Sequence, residues 1–238
     1  MRHVDVLAFG AHPDDVEIGC GGTLIKLTDA GTKVGVIDLV RGELGTRGSA
    51  EIREAEASES SKILGLTARE NLGLPDGHIR ATPEAKRKIV EVIRRWKPES
   101  IFVPYWKDRH PDHANASPLV YESTFMAGLE RYDTGQEKHR PKRLFYYAGW
   151  YEFEPTFIVN ITDQFDRKME AIYAFSTQFQ PDRSLGPQTR LTEPSTDWLI
   201  RSRMAYYGAR IRVKYAEAFL IHGHLAADSP LGLDFASF

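Results

Sequence analysis

Short apolar runs alternate with stretches of helical periodicity along the first half of the chain. "VDVLAFG" (4–10), "KVGVIDLV" (33–40) and "SIFVPY" (100–105) are rich in apolar, largely β-branched or aromatic residues and predict buried strands. Between the first two, "EIGCGGTLIKLTDAG" (17–31) spaces its apolar residues as a helix does and stops on a glycine. "AEIREAEASESSKILGL" (50–66), full of strong helix formers and carrying Gly65 near its end, predicts a second helix. "ENLGLP" (70–75) reads as a short extended piece. "TPEAKRKIVEVIRRWKPES" (82–100) punctuates a third helix, with Thr82 as N-cap, Pro83 at its first position and Pro98 past its end. A further helix is expected through "PLVYESTFMAGLE" (118–130), then an exposed loop over "YDTGQEKHRPKR" (132–143).

This β-α-β-α-β-α-β order predicts an α/β fold: a Rossmann-like, doubly wound, mostly parallel sheet with helices on both faces, because right-handed crossovers place them there. Farther on, "RLFYYAGW" (143–150) and "PTFIVNIT" (155–162) read as strands and "DQFDRKMEAIYAFSTQF" (163–179) as one helix. "QPDRSLGPQTRLTEPST" (180–196) has no periodicity and reads as a lid, an oligomer contact or a mobile loop. The expectation is a single domain over 1–238.

Composition narrows the classes. Hydrophobic residues at 42%, charged residues at 27% and a formal charge of −2 are ordinary for a globular chain and provide no basic field for nucleic acid. No run of eighteen or more apolar residues and no signal-peptide start are present, so a soluble, cytoplasmic protein without membrane contact is expected. The single Cys20 cannot form an internal disulfide and reads as a small buried residue.

The chemistry sits directly after two strands. "AHPDD" (11–15) follows the first strand and "DRHPDH" (108–113) the fourth, and in the commonest doubly wound order those two strand ends flank the point where strand order reverses. Two His/Asp loops should therefore face each other across one crevice. His12 and Asp15, like His110 and His113, are spaced to converge if each loop enters a helical turn, whereas the adjacent Asp14 and Asp15 must diverge. Nitrogen and oxygen donors without thiolates suit Zn2+, with Fe2+ tolerated, and three protein ligands leave an open position. The set chosen is His12, Asp15 and His113. An ion there acidifies water and polarises a carbonyl, which fits hydrolysis of an amide or ester. Asp14 is placed to move the proton, His110 to donate to the oxyanion, and Asp112 to orient an imidazole.

Other readings are weaker. "HPDD" alone could be a helix cap. A dinucleotide site fails because the glycines of "GCGG" come after the turn rather than in it, where helix packing explains them. Phosphoester hydrolysis usually employs two metals bridged by several carboxylates, and a sugar-binding module with a structural metal would need a closed coordination shell. His222 and His224 in "IHGHL" alternate as on any extended segment.

"AHPDD", "RGELGTRGS…IREAE", "NLGLPDG", "DRHPDH" and "YAEAF" together resemble the LmbE-like (PIG-L) zinc-dependent N-acetylglucosaminyl deacetylases, and within them the bacillithiol-biosynthesis deacetylases, over nearly the whole chain. The resemblance implies His12, Asp15 and His113 as metal ligands, Asp14 as general base and His110 as oxyanion donor. It further implies N-acetylglucosaminyl malate as substrate. Malate is a dicarboxylate, and arginines clamp carboxylates, so Arg53 and Arg109 are the expected substrate contacts. Arg47 is expected at the surface, and Glu43 either on sugar hydroxyls or capping the next turn. Asn160 stands where many relatives have an acid. A small-molecule amino-sugar partner and a homo-oligomer complete the expectation.

Overall fold

The computed structural model describes residues 3–229. Its strands are β1 (Val6–Gly10), β2 (Val34–Val40), β3 (Ala68–Leu74), β4 (Ser100–Pro104), β5 (Arg143–Tyr147), β6 (Phe157–Asn160) and β7 (Ala216–Leu220). They form one sheet in the order β3-β2-β1-β4-β5-β7-β6. The pairings β3-β2, β2-β1, β1-β4 and β4-β5 are parallel, and β7 runs antiparallel to both of its neighbours. The order reverses between β1 and β4, so the expected switch point is present.

Residues of β1 alternate between two cores. Leu7 and Phe9 join Ile89, Val90, Ile93, Leu119 and Val120 on one face, while Val6 and Ala8 join Val16, Cys20 and Leu24 on the other. The first face is covered by α3 (Pro83–Trp96) and α4 (Pro111–Ala127), the second by α1 (Asp15–Asp29), α2 (Ala50–Leu64) and α5 (Phe165–Tyr173). Burial on both sides explains why β1, β2 and β4 read as continuous apolar runs rather than alternating ones. Thr82 caps α3 by accepting from the Ala85 N–H at 3.2 Å, and Gly65 closes α2 in the left-handed region at φ 71°.

Two of the "GCGG" glycines, Gly19 and Gly22, are packing devices, as the sequence indicates, whereas a Cβ on Gly21 would meet nothing nearer than 3.7 Å. A Cβ on Gly19 would lie 2.2 Å from the Tyr147 ring, which is fixed by its hydroxyl donating to the Phe9 carbonyl at 2.7 Å.

Three parts of the C-terminal third differ from expectation. The helix foreseen over 163–179 is a 3-10 turn (Thr162–Gln164), α5, and then a separate short α6 (Ser176–Phe179). The break has a tertiary cause. The Glu56 carboxylate, on α2, accepts from the Thr177 N–H at 2.7 Å and from the Ser176 and Thr177 hydroxyls at 2.8 Å each, capping a new helix start while the Phe175 ring enters the core. Neither α7 (Pro194–Arg210) nor β7 is foreseen from the sequence. Ile200, Met204 and Tyr207 do carry a helical period in α7, but the exposed Trp198 and Tyr206 blur it. In β7 a charged residue, Glu217, stands mid-strand.

Glu217 is wholly buried and forms an ion pair with the equally buried Lys168. It accepts from the N–H groups of Gly22 (2.9 Å) and Thr23 (2.7 Å), while Lys168 Nζ donates to the Ile18 carbonyl at 2.8 Å. The pair thus engages the backbone of α1 from the side and locks α5 and β7 onto it. No helix among the described residues is long and apolar enough to cross a membrane.

Candidate metal-dependent active site

The β1–α1 turn and the start of α4 bring the predicted residues together. Asp15 is the first residue of α1, His110 is the N-cap of α4 with Pro111 next, and His113 lies in the first turn. His12 Nδ1 is 3.3 Å from His113 Nε2 and 3.5 Å from Asp15 Oδ2, and His113 Nε2 is 3.1 Å from Asp15 Oδ1. Tetrahedral zinc, with bonds of about 2.0–2.1 Å, spaces its ligand atoms by about 3.3–3.4 Å. The three side chains therefore fit one such ion.

The outer nitrogens of the two imidazoles are also provided for. His12 Nε2 meets Asp76 Oδ1 at 3.2 Å and Asp112 Oδ2 at 3.6 Å, and His113 Nδ1 meets Asp108 Oδ1 at 3.2 Å. Each carboxylate places the proton on the outer nitrogen and leaves the inner one free to bind a cation. Burial pushes His113 down, but Asp15 and Asp108 outweigh it and carry the imidazole up to about 9; burial alone would raise Asp15, yet His113 and His12 hold it well below the carboxylate range. A proton and a cation compete for such nitrogens.

A second grouping of ligand atoms, His12, His110 and His113, also lies within 4.8 Å. His110 Nδ1, however, accepts the backbone N–H of Asp112 at 3.2 Å, which puts its proton on Nε2. Burial first, then the neighbouring His12 and His113, hold its pKa below the ordinary histidine value. His110 is accordingly a neutral N–H donor at the site, and Asp15 is the better third ligand.

Asp14 diverges from Asp15, as adjacency requires. Its backbone sits at φ 120°, a strained conformation for a non-glycine residue, and its carboxylate is buried. Burial pushes it up to about 7, with Arg53 opposing that rise. The Arg53 Nη2 donates to Asp14 Oδ2 at 3.3 Å. Gly42, at φ 76°, admits this guanidinium: a Cβ there would lie 1.8 Å from Arg53 Nη1.

Other expectations are redistributed. Arg53 is a partner of Asp14 inside the site rather than a freely displayed clamp. Arg109 is exposed, stacked 4.1 Å over the Trp150 ring, with Arg190 at 5.0 Å from the same ring. Arg47, expected at the surface, is buried and donates to the carbonyls of Gln180 (2.9 Å) and Asp182 (2.6 Å), fastening the 180–196 segment to the glycine-rich loop. Glu43 accepts from the Asp76 N–H at 3.1 Å, and so caps the turn after β3 rather than the one that follows Glu43 in sequence. Asp112, besides facing His12, accepts from the N–H groups of Gly77 (2.7 Å) and Ile79 (3.1 Å). Asn160 caps Thr162 at 2.9 Å, and His222 packs edge-on against Trp106, with ring centroids 4.7 Å apart. Asp76 and Asp108 were not foreseen; both stand beside motif residues, in "LPDG" and "DRHPDH", but look there like turn formers.

Comparison with known proteins places the chain in a family. The family described as PIG-L, GlcNAc-PI de-N-acetylase, matches residues 7–124, which contain His12, Asp14, Asp15, His110 and His113. Diacetylchitobiose deacetylase of Thermococcus kodakarensis is 32% identical over 227 residues, covering 89% of this chain and 80% of that protein. The probable N-acetyl-alpha-D-glucosaminyl L-malate deacetylase 2 of Bacillus anthracis is 28% identical, over 75% of this chain and 82% of the relative. Among solved structures, the conserved protein TT1542 from Thermus thermophilus superposes with a TM-score of 0.83 at 37% identity, covering 99% of this chain and 98% of its own.

Proposed function

We propose, on the premise that the chain belongs to the PIG-L (GlcNAc-PI de-N-acetylase) family, that it is a metal-dependent hydrolase removing acetyl from the amine of an N-acetylglucosamine unit. The observation that carries this reading is the convergence of His12 Nδ1, His113 Nε2 and the Asp15 carboxylate within 3.1–3.5 Å, with Asp14 and His110 beside them. Those three residues would hold the divalent cation, zinc or iron. When bound, the cation supplies Lewis acidity towards water and towards the amide carbonyl.

The remaining roles belong to the chain. Asp14 receives a proton from the attacking water and returns it to the departing amine nitrogen. Arg53 fixes the Asp14 carboxylate and counters its burial, keeping it able to accept. His110 donates from Nε2 to the oxygen of the former carbonyl, an interaction that strengthens as negative charge develops there. Asp76, Asp112 and Asp108 hold the His12 and His113 rings in the required tautomers.

For the substrate, the reading adopts a glucosamine conjugate bearing carboxylates, as in N-acetylglucosaminyl malate. Arg109 and Arg190, both exposed on Trp150 beside His110, support it, since neither guanidinium has a hydrogen-bond or ion-pair partner among the described residues. The likeness to the diacetylchitobiose deacetylase favours a neutral disaccharide as the second reading. Acetate release from N-acetylglucosaminyl malate and from diacetylchitobiose, with metal analysis of the same sample, tests both. Acetate from neither, or full turnover after chelation, would overturn the proposal.

A further inference from the structure

Arg203, on α7, is a buried guanidinium whose hydrogen bonds go to the backbone. Nη1 donates to the Gly149 carbonyl and Nη2 to the Trp150 carbonyl at 3.0 Å. Nε has no hydrogen-bond partner among the described residues, and the exposed carboxylate of Glu152 stands 3.8 Å from it. A charge withdrawn from water and met by neutral carbonyls is costly to keep, and an apolar side chain of similar length would fill the same space without that cost. What the guanidinium contributes lies on the far side of the loop that it grips.

The Gly149 carbonyl and the Trp150 N–H are the two ends of one peptide unit. That N–H donates to Asp108 Oδ2 at 2.6 Å, and Asp108 Oδ1 faces His113 Nδ1 at 3.2 Å. A cation donating to the oxygen of a peptide polarises it and makes its N–H a stronger donor, so the grip of Arg203 tightens the hold on Asp108. Gly149 belongs to the same arrangement: a Cβ there would lie 2.2 Å from Asp108 Oδ2 and 3.7 Å from His113 Nδ1. A bare Cα lets the carboxylate reach the peptide and the imidazole together.

We infer that Arg203 is a positioning residue for the candidate metal centre, acting on His113 through the Gly149–Trp150 peptide and Asp108; the inference rests on the proposed function, in which His113 holds the cation. Guanidinium, peptide, carboxylate and imidazole form one continuous chain of hydrogen bonds from α7 to the site. The second arm, on the Trp150 carbonyl, steadies the residue whose ring carries Arg109 and Arg190.

A double-mutant cycle tests the path. Cation affinity is measured by competition against a chelating dye for the native chain, Arg203→Met, Asp108→Asn and the double variant. Arg203→Met should weaken affinity about tenfold, the lower end of what outer partners of a ligand imidazole contribute. In the Asp108→Asn background the same substitution should cost about twofold or less, because the path is already cut. Equal losses in both backgrounds mark a packing defect and overturn the inference, as does native affinity in Arg203→Met. A raised KM with native cation affinity would make Arg203 a substrate contact instead. Arg203→Lys, which keeps a charged donor for one of the two carbonyls, should fall between the native chain and Arg203→Met, and it replaces the latter in the cycle if that variant does not fold.

The cation-free chain gives a second readout. By nuclear magnetic resonance, the Nδ1 proton of His113 should exchange with solvent faster in Arg203→Met, whereas the Nε2 proton of His12 should not. An unaltered His113 proton overturns the inference even if the native chain binds no cation at all. A cycle that behaves as expected in a chain releasing no acetate from any N-acetyl amino sugar would sink the deacetylase reading and spare the role of Arg203. Acetate release with an additive cycle would do the reverse.

Discussion

The Nδ1 of His113 lies 3.2 Å from Asp108 Oδ1, and the same carboxylate accepts from the backbone N–H groups of His110 (2.8 Å) and Trp150 (2.6 Å). One buried side chain thereby orients a candidate ligand, the start of α4 and the loop after β5. Asp108→Asn should weaken cation affinity about 10–100-fold, because the ring loses the charge that sharpens its basicity. Competition against a chelating dye measures this. An affinity equal to that of the native chain would show that the ring is held by other contacts.

Asp14 is near the cation ligands without being one. Asp14→Asn should retain one cation per chain and lose about 10²–10⁴-fold in kcat, the usual contribution of a positioned proton carrier. Metal analysis and initial rates on one preparation decide the matter. Lost cation would make Asp14 a ligand, and retained turnover would remove it from the proton path.

The Lys168–Glu217 pair has no access to solvent. Lys168→Met strands the carboxylate in the core and should cost about 3–5 kcal/mol, a fall in Tm of roughly 6–20 °C for a chain of this size. Adding Glu217→Gln to that variant should recover part of the loss by removing the buried charge, although the amide oxygen can keep only one of the two backbone bonds, which reach Oε1 from Gly22 and Oε2 from Thr23 in the native chain. A double variant less stable than the single one would contradict this account.

Gly19 and Gly21, on the same helix, should respond oppositely to an added methyl. Gly19→Ala presses it into the Tyr147 ring and should destabilise by about 1–3 kcal/mol. At Gly21 the nearest atoms to an added Cβ are 3.7 Å away, so Gly21→Ala should stabilise by up to about 1 kcal/mol through helix propensity. Thermal melts of the two variants provide the comparison.

The first half of the chain was legible because its signals are local. Apolar runs buried on both faces, Thr82 and Gly65 as helix ends, and His/Asp turns after β1 and β4 each carry their meaning within a few residues. Parallel-sheet topology then sets the two turns face to face. The C-terminal third depends on distant partners: Glu56 divides a helix by capping Ser176 and Thr177, and Glu217 looks like a strand breaker until Lys168 and the α1 backbone surround it.

The amino-acid order by itself determined the doubly wound half, the switch point and the residues gathered there, since periodicity, caps and crossover handedness are properties of short segments. Tertiary structure alone decided that Arg53 serves Asp14, that Asp76 and Asp108 orient the imidazoles, and that Arg47 ties down the segment beside the site. These assignments are contacts between residues far apart in the chain. A charged side chain shows its partner only when burial has removed water as the alternative.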